Sequence, residues 1–295
     1  MLFDYIEPVF RPPSEAESLI LQVTNGCSWN RCTFCEMYTE PQKRFKPKPI
    51  ETIREELAQF AGMNIPLRRV FLADGDAMTL SFRRLHEIMQ AINDYLPGIQ
   101  RVSAYCLPRN VEKKSVEELQ ALCQMGLRLV YIGCESGDDL VLERVGKGET
   151  WQSSLEALLK LKQAGIRRSV MILNGLGGKR YSEQHAVNSA SLMNESQPEY
   201  LATLVVSFPK GEQRFKQGYA GNFEALNLRQ LLAEMALMLA SLELGKTIFR
   251  SDHASNYLLL KGVLNKDKQR LLSQVRDALA HPESTRFRQE WQRGL

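Results

Sequence analysis

Residues 19–35 read Leu19-Ile-Leu-Gln-Val-Thr-Asn-Gly-Cys27-Ser-Trp-Asn-Arg-Cys32-Thr-Phe-Cys35. A short apolar, partly β-branched run, Leu19–Thr24, leads directly into a loop that carries three cysteines within nine residues. A tight group of this kind reads as metal-binding or catalytic before it reads as disulfide-forming. The number three matters. Structural zinc requires a fourth thiolate or imidazole at close spacing, but the nearest histidine in sequence is His86 and no second cysteine pair follows. Zinc, or a loop with no metal, is therefore the weaker reading. Three soft thiolates suit an iron–sulfur cluster and leave one iron open for another ligand. The scattered Cys106, Cys123 and Cys134 read as small buried hydrophobes, with Cys106 a possible hydrogen-atom donor to a product radical.

Working outward, comparable runs recur at Arg69–Ala73, Val102–Cys106, Leu129–Gly133, Ser169–Leu173 and Leu201–Phe208. Between them lie stretches with apolar spacing of three and four, such as Ile53, Leu57, Phe60 and Leu85, Ile88, Ile92. The repeat is β then α, about thirty to fifty residues apart, which suits crossover connections and a parallel sheet of six strands. Periodicity alone does not separate an open sheet from an incomplete barrel. Polar motifs follow each run: the cysteine loop, Asp74-Gly75-Asp76, Cys106 with Pro108, Gly133-Cys134-Glu135-Ser136-Gly137, Asn174-Gly-Leu-Gly-Gly178, and Phe208-Pro209. Parallel strands bring such carboxyl ends to one rim, where barrel enzymes collect their chemistry.

The alternation stops after about residue 217. Leu228, Leu231, Leu232, Met235, Met238, Leu239 and Leu242 mark a long amphipathic helix with Asn227 as N-cap and Gly245 as stop, and a second helix is expected from near Asp267 to about Ala280. The expected organisation is thus a core over residues 1–217 and a C-terminal helical extension over 218–295. With 38 Lys+Arg against 34 Asp+Glu, the 295-residue chain lacks the strong positive field of a general nucleic-acid or membrane-surface binder, although local basic patches remain open. No run approaches the ~20 apolar residues of a membrane span, and Asp4, Glu7 and Arg11 interrupt any signal-like segment, so the expected compartment is cytoplasmic.

The cysteine loop after the first strand resembles that of the radical S-adenosylmethionine (SAM) superfamily. Tyr131–Gly137 and Leu142–Gly148 resemble the corresponding region of the branch that contains oxygen-independent coproporphyrinogen oxidases, tRNA methylthiotransferases and elongator-type proteins. The resemblance covers roughly residues 17–217 and rests on the order of the motifs. It implies an α/β fold, a partial (β/α)6 TIM-like barrel with the helical extension. It further implies a 4Fe–4S cluster held by Cys27, Cys32 and Cys35, and SAM as cofactor. It also implies a reductive cleavage of SAM that gives a 5′-deoxyadenosyl radical, and an external electron donor such as a flavodoxin or ferredoxin. By the same resemblance Phe34 would lie near the adenine, backbone around Tyr38 would read its edge, and Asp76 and Glu135 would accept from the amino and ribose groups. Arg168 is a further candidate, as a bidentate partner for a carboxylate.

The sequence departs from the family pattern in three places. Four residues separate Cys27 from Cys32, where three are usual. Asp74-Gly-Asp-Ala77 stands where many members carry Gly-Gly-Glu-Pro, and Met37 stands where coproporphyrinogen oxidases carry a further cysteine. Methylthiotransferases would need an additional N-terminal domain, and only 26 residues precede Cys27. The expected substrate is a small or medium metabolite; tRNA or protein modification, or a non-catalytic cluster or tetrapyrrole carrier, are the alternatives. Remaining polar features are the Lys43–Lys48 basic run as an acidic-substrate contact or a solvated turn, and the 174–178 glycines as a close approach to SAM. His253 stands as a proton shuttle or a structural histidine, and Arg286–Arg293 as a weak RNA-tail signal.

Overall fold

Each apolar run singled out above is a strand in the computed structural model, which describes residues 3–63, 65–219 and 221–293. In chain order the strands are β1 (Leu19–Gln22), β2 (Thr24–Asn25), β3 (Lys46–Pro47), β4 (Arg69–Ala73), β5 (Arg101–Cys106), β6 (Leu127–Glu135), β7 (Arg167–Asn174), β8 (Tyr200–Val205), β9 (Ile248–Ser251) and β10 (Leu260–Val263). The α-helices are α1 (Ile50–Gly62), α2 (Phe82–Tyr95), α3 (Arg109–Glu112), α4 (Val116–Gln124), α5 (Asp139–Arg144), α6 (Trp151–Gln163), α7 (Gly178–Ser196), α8 (Gln213–Gly218), α9 (Leu228–Ser241) and α10 (Lys268–Ala280). The described residues divide into two compact units.

The first unit comprises the N-terminal segment through Asn30, Met37–Ile132 and Leu159–Arg168. In its main sheet the strands are parallel, with β1 beside β4, β4 beside β5, and β5 beside β6, while the short β2 and β3 pair antiparallel. Leu21, Val70, Phe71 and Leu72 are all fully buried, as expected of a parallel sheet covered on both faces, so these strands read as unbroken apolar runs. The helices begin where the sequence supplies caps. Ser81 Oγ accepts the Arg84 N–H at 3.3 Å to start α2, and a Ser115/Glu118 capping box starts α4. Leu85, Ile88, Met89 and Ile92 form the buried face of α2, which packs on α1 and α4.

The second unit comprises Arg31–Glu36, Gly133–Leu158 and the chain from Ser169 onward. Here β7 and β8 are parallel, β8 and β9 are parallel, and β10 closes antiparallel on β9. Both C-terminal helices form as expected; the Asn227/Gln230 capping box starts α9, which packs on α7 and α10. Besides these helices, the segment after residue 217 supplies β9 and β10. Each is a four-residue strand with a charged residue inside it, too short and too polar to register as an apolar run.

The loop between β9 and β10 completes the edge of β8. Asn256 donates from Nδ2 to the Thr203 carbonyl (2.8 Å) and accepts the Val205 N–H at Oδ1 (3.0 Å). Arg288 donates to the carbonyls of His253, Asn256 and Asp252, and Arg293 Nε donates to that of Ser255. Arg288 and Arg293 thus brace this loop. Burial, reinforced by the Arg288 guanidinium and opposed by Asp252, holds the His253 pKa below the ordinary histidine range. The folded state therefore favours neutral His253. Its contribution to stability is present above the unfolded value of about 6.5 and is lost as pH falls through the depressed folded value. Amide exchange at residues 286–293, corrected for intrinsic rates, is expected to accelerate from about pH 7.5 to about pH 5, while His253→Asn flattens this dependence. Equal pH profiles for the two proteins would remove His253 as the cause.

Candidate functional site

In the first unit, the loop that leaves β2 is anchored by β4 and β5. Asp76 is fully buried; its Oδ1 accepts the Ser28 N–H (2.8 Å), and its Oδ2 accepts the Ser28 hydroxyl and Asn110 Nδ2 (3.2 Å). One carboxylate thereby ties the start of the cysteine loop to the segments that follow β4 and β5. Within the four residues between Cys27 and Cys32 the chain turns at Asn30. Its φ of +43° is left-handed, a conformation asparagine tolerates better than most residues, and its Nδ2 donates to the Tyr38 carbonyl at 2.9 Å. Trp29 lies under the Arg109 guanidinium, 3.7 Å from ring centroid to Cζ. Gly75 is demanded by close approach, because a Cβ there would lie 2.8 Å from the Cys27 Cβ.

Behind this loop lies a sealed ion pair. Lys43 and Asp74, both without solvent exposure, meet through Lys43 Nζ and Asp74 Oδ2, and Nζ also donates to the Ile6 carbonyl (2.8 Å). Asp74 Oδ2 further accepts the Gly26 N–H at 3.3 Å. Burial pushes the Asp74 pKa up, with Lys43 opposing. The basic run is accordingly neither a substrate contact at Lys43 nor a uniformly solvated turn, and Lys48 pairs with Glu56 at 2.6 Å. Tyr38 is buried with its ring edge-on to Phe10. Arg168 is fully buried near the amino end of β7, whereas strand-end motifs occupy carboxyl ends. Cys106 is buried, with Sγ 3.2 Å from the Leu107 carbonyl.

In the second unit, residues 31–36 form the other half of the cysteine loop. Thr33 donates to the Val145 carbonyl from both its N–H (2.9 Å) and its hydroxyl (3.2 Å). A Cβ on Gly218 would lie 2.4 Å from Thr33 Cγ2, so α8 ends hard against this turn. Arg214, also on α8, donates from Nη1 to the Thr33 and Cys35 carbonyls (both 2.7 Å) and from Nη2 to the Cys32 carbonyl (3.0 Å). Phe34 is partly buried against Val141, Val145, Leu176, Phe215 and Tyr219.

Glu135 closes β6 with a left-handed φ of +67° and is 8% exposed. Its carboxylate folds over Gly133, where a Cβ would sit 2.1 Å from Oε1, and it pairs with Lys147 Nζ at 3.2 Å. Lys147 is buried; burial pulls its pKa down, but the fields of Glu135 and Cys32 outweigh that effect and hold it above the ordinary lysine value. A charged lysine therefore stands near Cys32. The sequence reading passed over Lys147 although it lies in Leu142–Gly148, where a lone lysine between glycines was the available signal. The 174–178 glycines serve packing: a Cβ on Gly175 would meet Leu231 at 2.9 Å, and one on Gly178 would meet the Glu224 carbonyl at 2.8 Å.

No disulfide joins any of the six cysteines; Cys32 is buried, and Cys27 and Cys35 are partly exposed. Among the described residues no three His, Cys, Asp or Glu side chains gather around a point that holds a single ion. The donor set of the loop is three soft thiols, which fits an iron–sulfur cluster spread between them better than a mononuclear hard cation. In the first unit Gly75 closely approaches Cys27, and in the second the carbonyls of Cys32 and Cys35 are clamped by Arg214.

These features define an α/β protein with a cysteine loop at the carboxyl end of its first strand. Residues 21–193, more than half of the chain, match the Radical SAM superfamily, and the chain belongs to that superfamily. It is thereby placed among enzymes that use a 4Fe–4S cluster and SAM. An uncharacterized methyltransferase of Pyrococcus horikoshii is 26% identical over 147 residues, 50% of this chain and 30% of that protein. The heme chaperone HemW of Bacillus subtilis is 24% identical over 126 residues, 42% of this chain and 33% of HemW. The chain thus spans about a third of the length of these curated relatives. Coproporphyrinogen III oxidase (HemN) from Escherichia coli superposes with a TM-score of 0.58 at 14% identity, covering 76% of this chain and 51% of HemN. That likeness bears on the fold, the α/β class of radical SAM partial barrels. Among the described residues no helix is long and apolar enough to cross a membrane.

Proposed function

We propose that this chain catalyses hydrogen abstraction from a small or medium metabolite by radical SAM chemistry, with Cys27, Cys32 and Cys35 holding the 4Fe–4S cluster. The observation that carries the reading is the cysteine loop itself: three thiols after the first strand, with Asp76 holding Ser28 beside Cys27 in the first unit and Arg214 holding the Cys32 and Cys35 carbonyls in the second. When bound, the cluster would supply the electron for reductive cleavage of SAM and so the hydrogen-abstracting chemistry, with an external donor such as a flavodoxin or ferredoxin as the source of that electron. The remaining work falls to the chain. Glu135 offers an acceptor carboxylate at a strand's carboxyl end, suited to ribose hydroxyls or the SAM amino group, and Lys147 orients it. Phe34 offers a ring edge near the adenine, and Tyr38 closes the loop through its backbone. Asp76 supports SAM binding through Ser28 and Asn110, whose donors already occupy both of its oxygens. For Arg168 the amino-end placement favours support of β7 over contact with the cofactor.

Glu135→Gln keeps the side chain's shape and removes its charge. SAM affinity is expected to fall about tenfold, the scale of one charge-assisted hydrogen bond, with bound iron unchanged. Unchanged affinity in equilibrium dialysis would reject the role. The function itself is tested by anaerobic reconstitution with iron and sulfide, then incubation with SAM and dithionite, with chromatographic assay for 5′-deoxyadenosine. Formation of 5′-deoxyadenosine supports the enzyme reading. SAM that binds a reduced cluster and stays intact favours a second reading, a cluster or tetrapyrrole carrier, which the similarity to a heme chaperone over 126 residues also supports.

A further inference from the structure

We infer that Arg214 is the positioning residue of the cluster loop, fixing the backbone that carries Cys32 and Cys35 and placing a permanent positive charge beside the cluster. The inference rests on the proposed assignment of those cysteines as cluster ligands. A turn that presents two ligands in quick succession leaves several carbonyls pointing the same way with no helix to receive them. Here the carbonyls of Cys32, Thr33 and Cys35 converge on one guanidinium at 3.0, 2.7 and 2.7 Å. A planar fork with fixed donors suits three fixed acceptors, and an arginine stays charged at any working pH. Its reach is set by α8: Phe215 is buried in the aromatic cluster with Phe208 and Phe223, and Gly218 abuts Thr33. The side chain therefore approaches the loop from a braced helix, and the loop cannot relax without breaking three charge-assisted hydrogen bonds.

Two consequences follow from the geometry. Holding the two cysteine positions slows release of iron. The fixed positive charge stabilises the more negative, reduced form of the cluster, since net charge and hydrogen bonding near the ligands set cluster potentials.

The test compares anaerobically reconstituted wild type with Arg214→Lys, Arg214→Gln and, as a control on the same helix, Lys216→Ala, which removes an exposed ion pair with Glu212. Iron loss to a chelator and the midpoint potential from an EPR-monitored redox titration are measured, with circular dichroism checking the fold. Arg214→Gln is expected to lose iron about tenfold faster or more and to shift the midpoint to more negative values. Arg214→Lys is expected to restore most of the midpoint while losing iron faster than wild type, because a lysine keeps the charge without the fork. Lys216→Ala is expected to match wild type in both. A folded Arg214→Gln protein with wild-type midpoint and wild-type iron loss would overturn the inference, as would a midpoint shift shared by Lys216→Ala. A wild-type protein that takes up no cluster would instead overturn the cysteine assignment.

Discussion

Replacing any one of Cys27, Cys32 or Cys35 by alanine is expected to remove most of the iron that the reconstituted protein binds, whereas Cys123→Ala is expected to keep it. A cluster held by three thiolates has no spare protein ligand, so each loss opens a second iron to solvent. Cys123 is a useful control because it is buried in the first unit, with its Sγ 3.4 Å from the Gly165 carbonyl, and has no place in the loop. Iron and sulfide analysis with absorbance near ~400 nm reads the outcome. Equal loss in all four variants, with altered circular dichroism, would show misfolding and remove support for the ligand assignment.

The second large effect concerns stability and lies at the Lys43–Asp74 pair. Removing one partner of a sealed pair strands the other charge, and Lys43→Met is expected to cost about 3–5 kcal/mol in denaturant unfolding. The deficit has a defined pH dependence. Without Lys43, only Tyr38 and the Gly26 N–H oppose burial at Asp74, and its pKa moves further above the ordinary carboxylate range. The folded variant then binds a proton that the unfolded chain releases, so its stability falls as pH rises above the ordinary carboxylate value and recovers below it. The double variant Lys43→Met/Asp74→Asn is expected to regain part of the loss at neutral pH, because the stranded charge is gone. A single variant that loses less than about 1 kcal/mol, with no pH dependence, would contradict this account. Because Asp74 also accepts the Gly26 N–H, the pair bears directly on the strand end that precedes Cys27.

Much of the architecture was legible because it rests on local pattern. The runs at Arg69–Ala73 and Val102–Cys106 are strands within a residue of the expected bounds, since parallel strands buried on both faces need nearly continuous apolar sequence. The helix start at Asn227 was legible from capping chemistry and an apolar stripe, and α10 likewise starts beside the expected Asp267, although that side chain does not cap it. β9 and β10 were not legible, because four residues with interior Arg250 or Lys261 carry no period. In the site, the cysteine loop and Glu135 stood out by residue type and spacing. Lys43 was misread because a basic run normally signals solvent, and its burial depends on Asp74, 31 residues further along the chain. Arg214 had no local signal at all; its partners lie 179 to 182 residues earlier, and only the tertiary fold brings a short helix onto that turn. The extra residue between Cys27 and Cys32 was visible as a departure, but the left-handed turn at Asn30 was a matter of backbone geometry.

The most direct measurement is the low-temperature EPR spectrum of the anaerobically reconstituted, dithionite-reduced protein, recorded with and without SAM. A signal of a reduced 4Fe–4S cluster whose g-values shift when SAM is added is the predicted result, since the proposed set of three thiolates would leave one iron open to SAM. A protein that takes up no cluster, or a cluster whose spectrum is the same with saturating SAM, would contradict it.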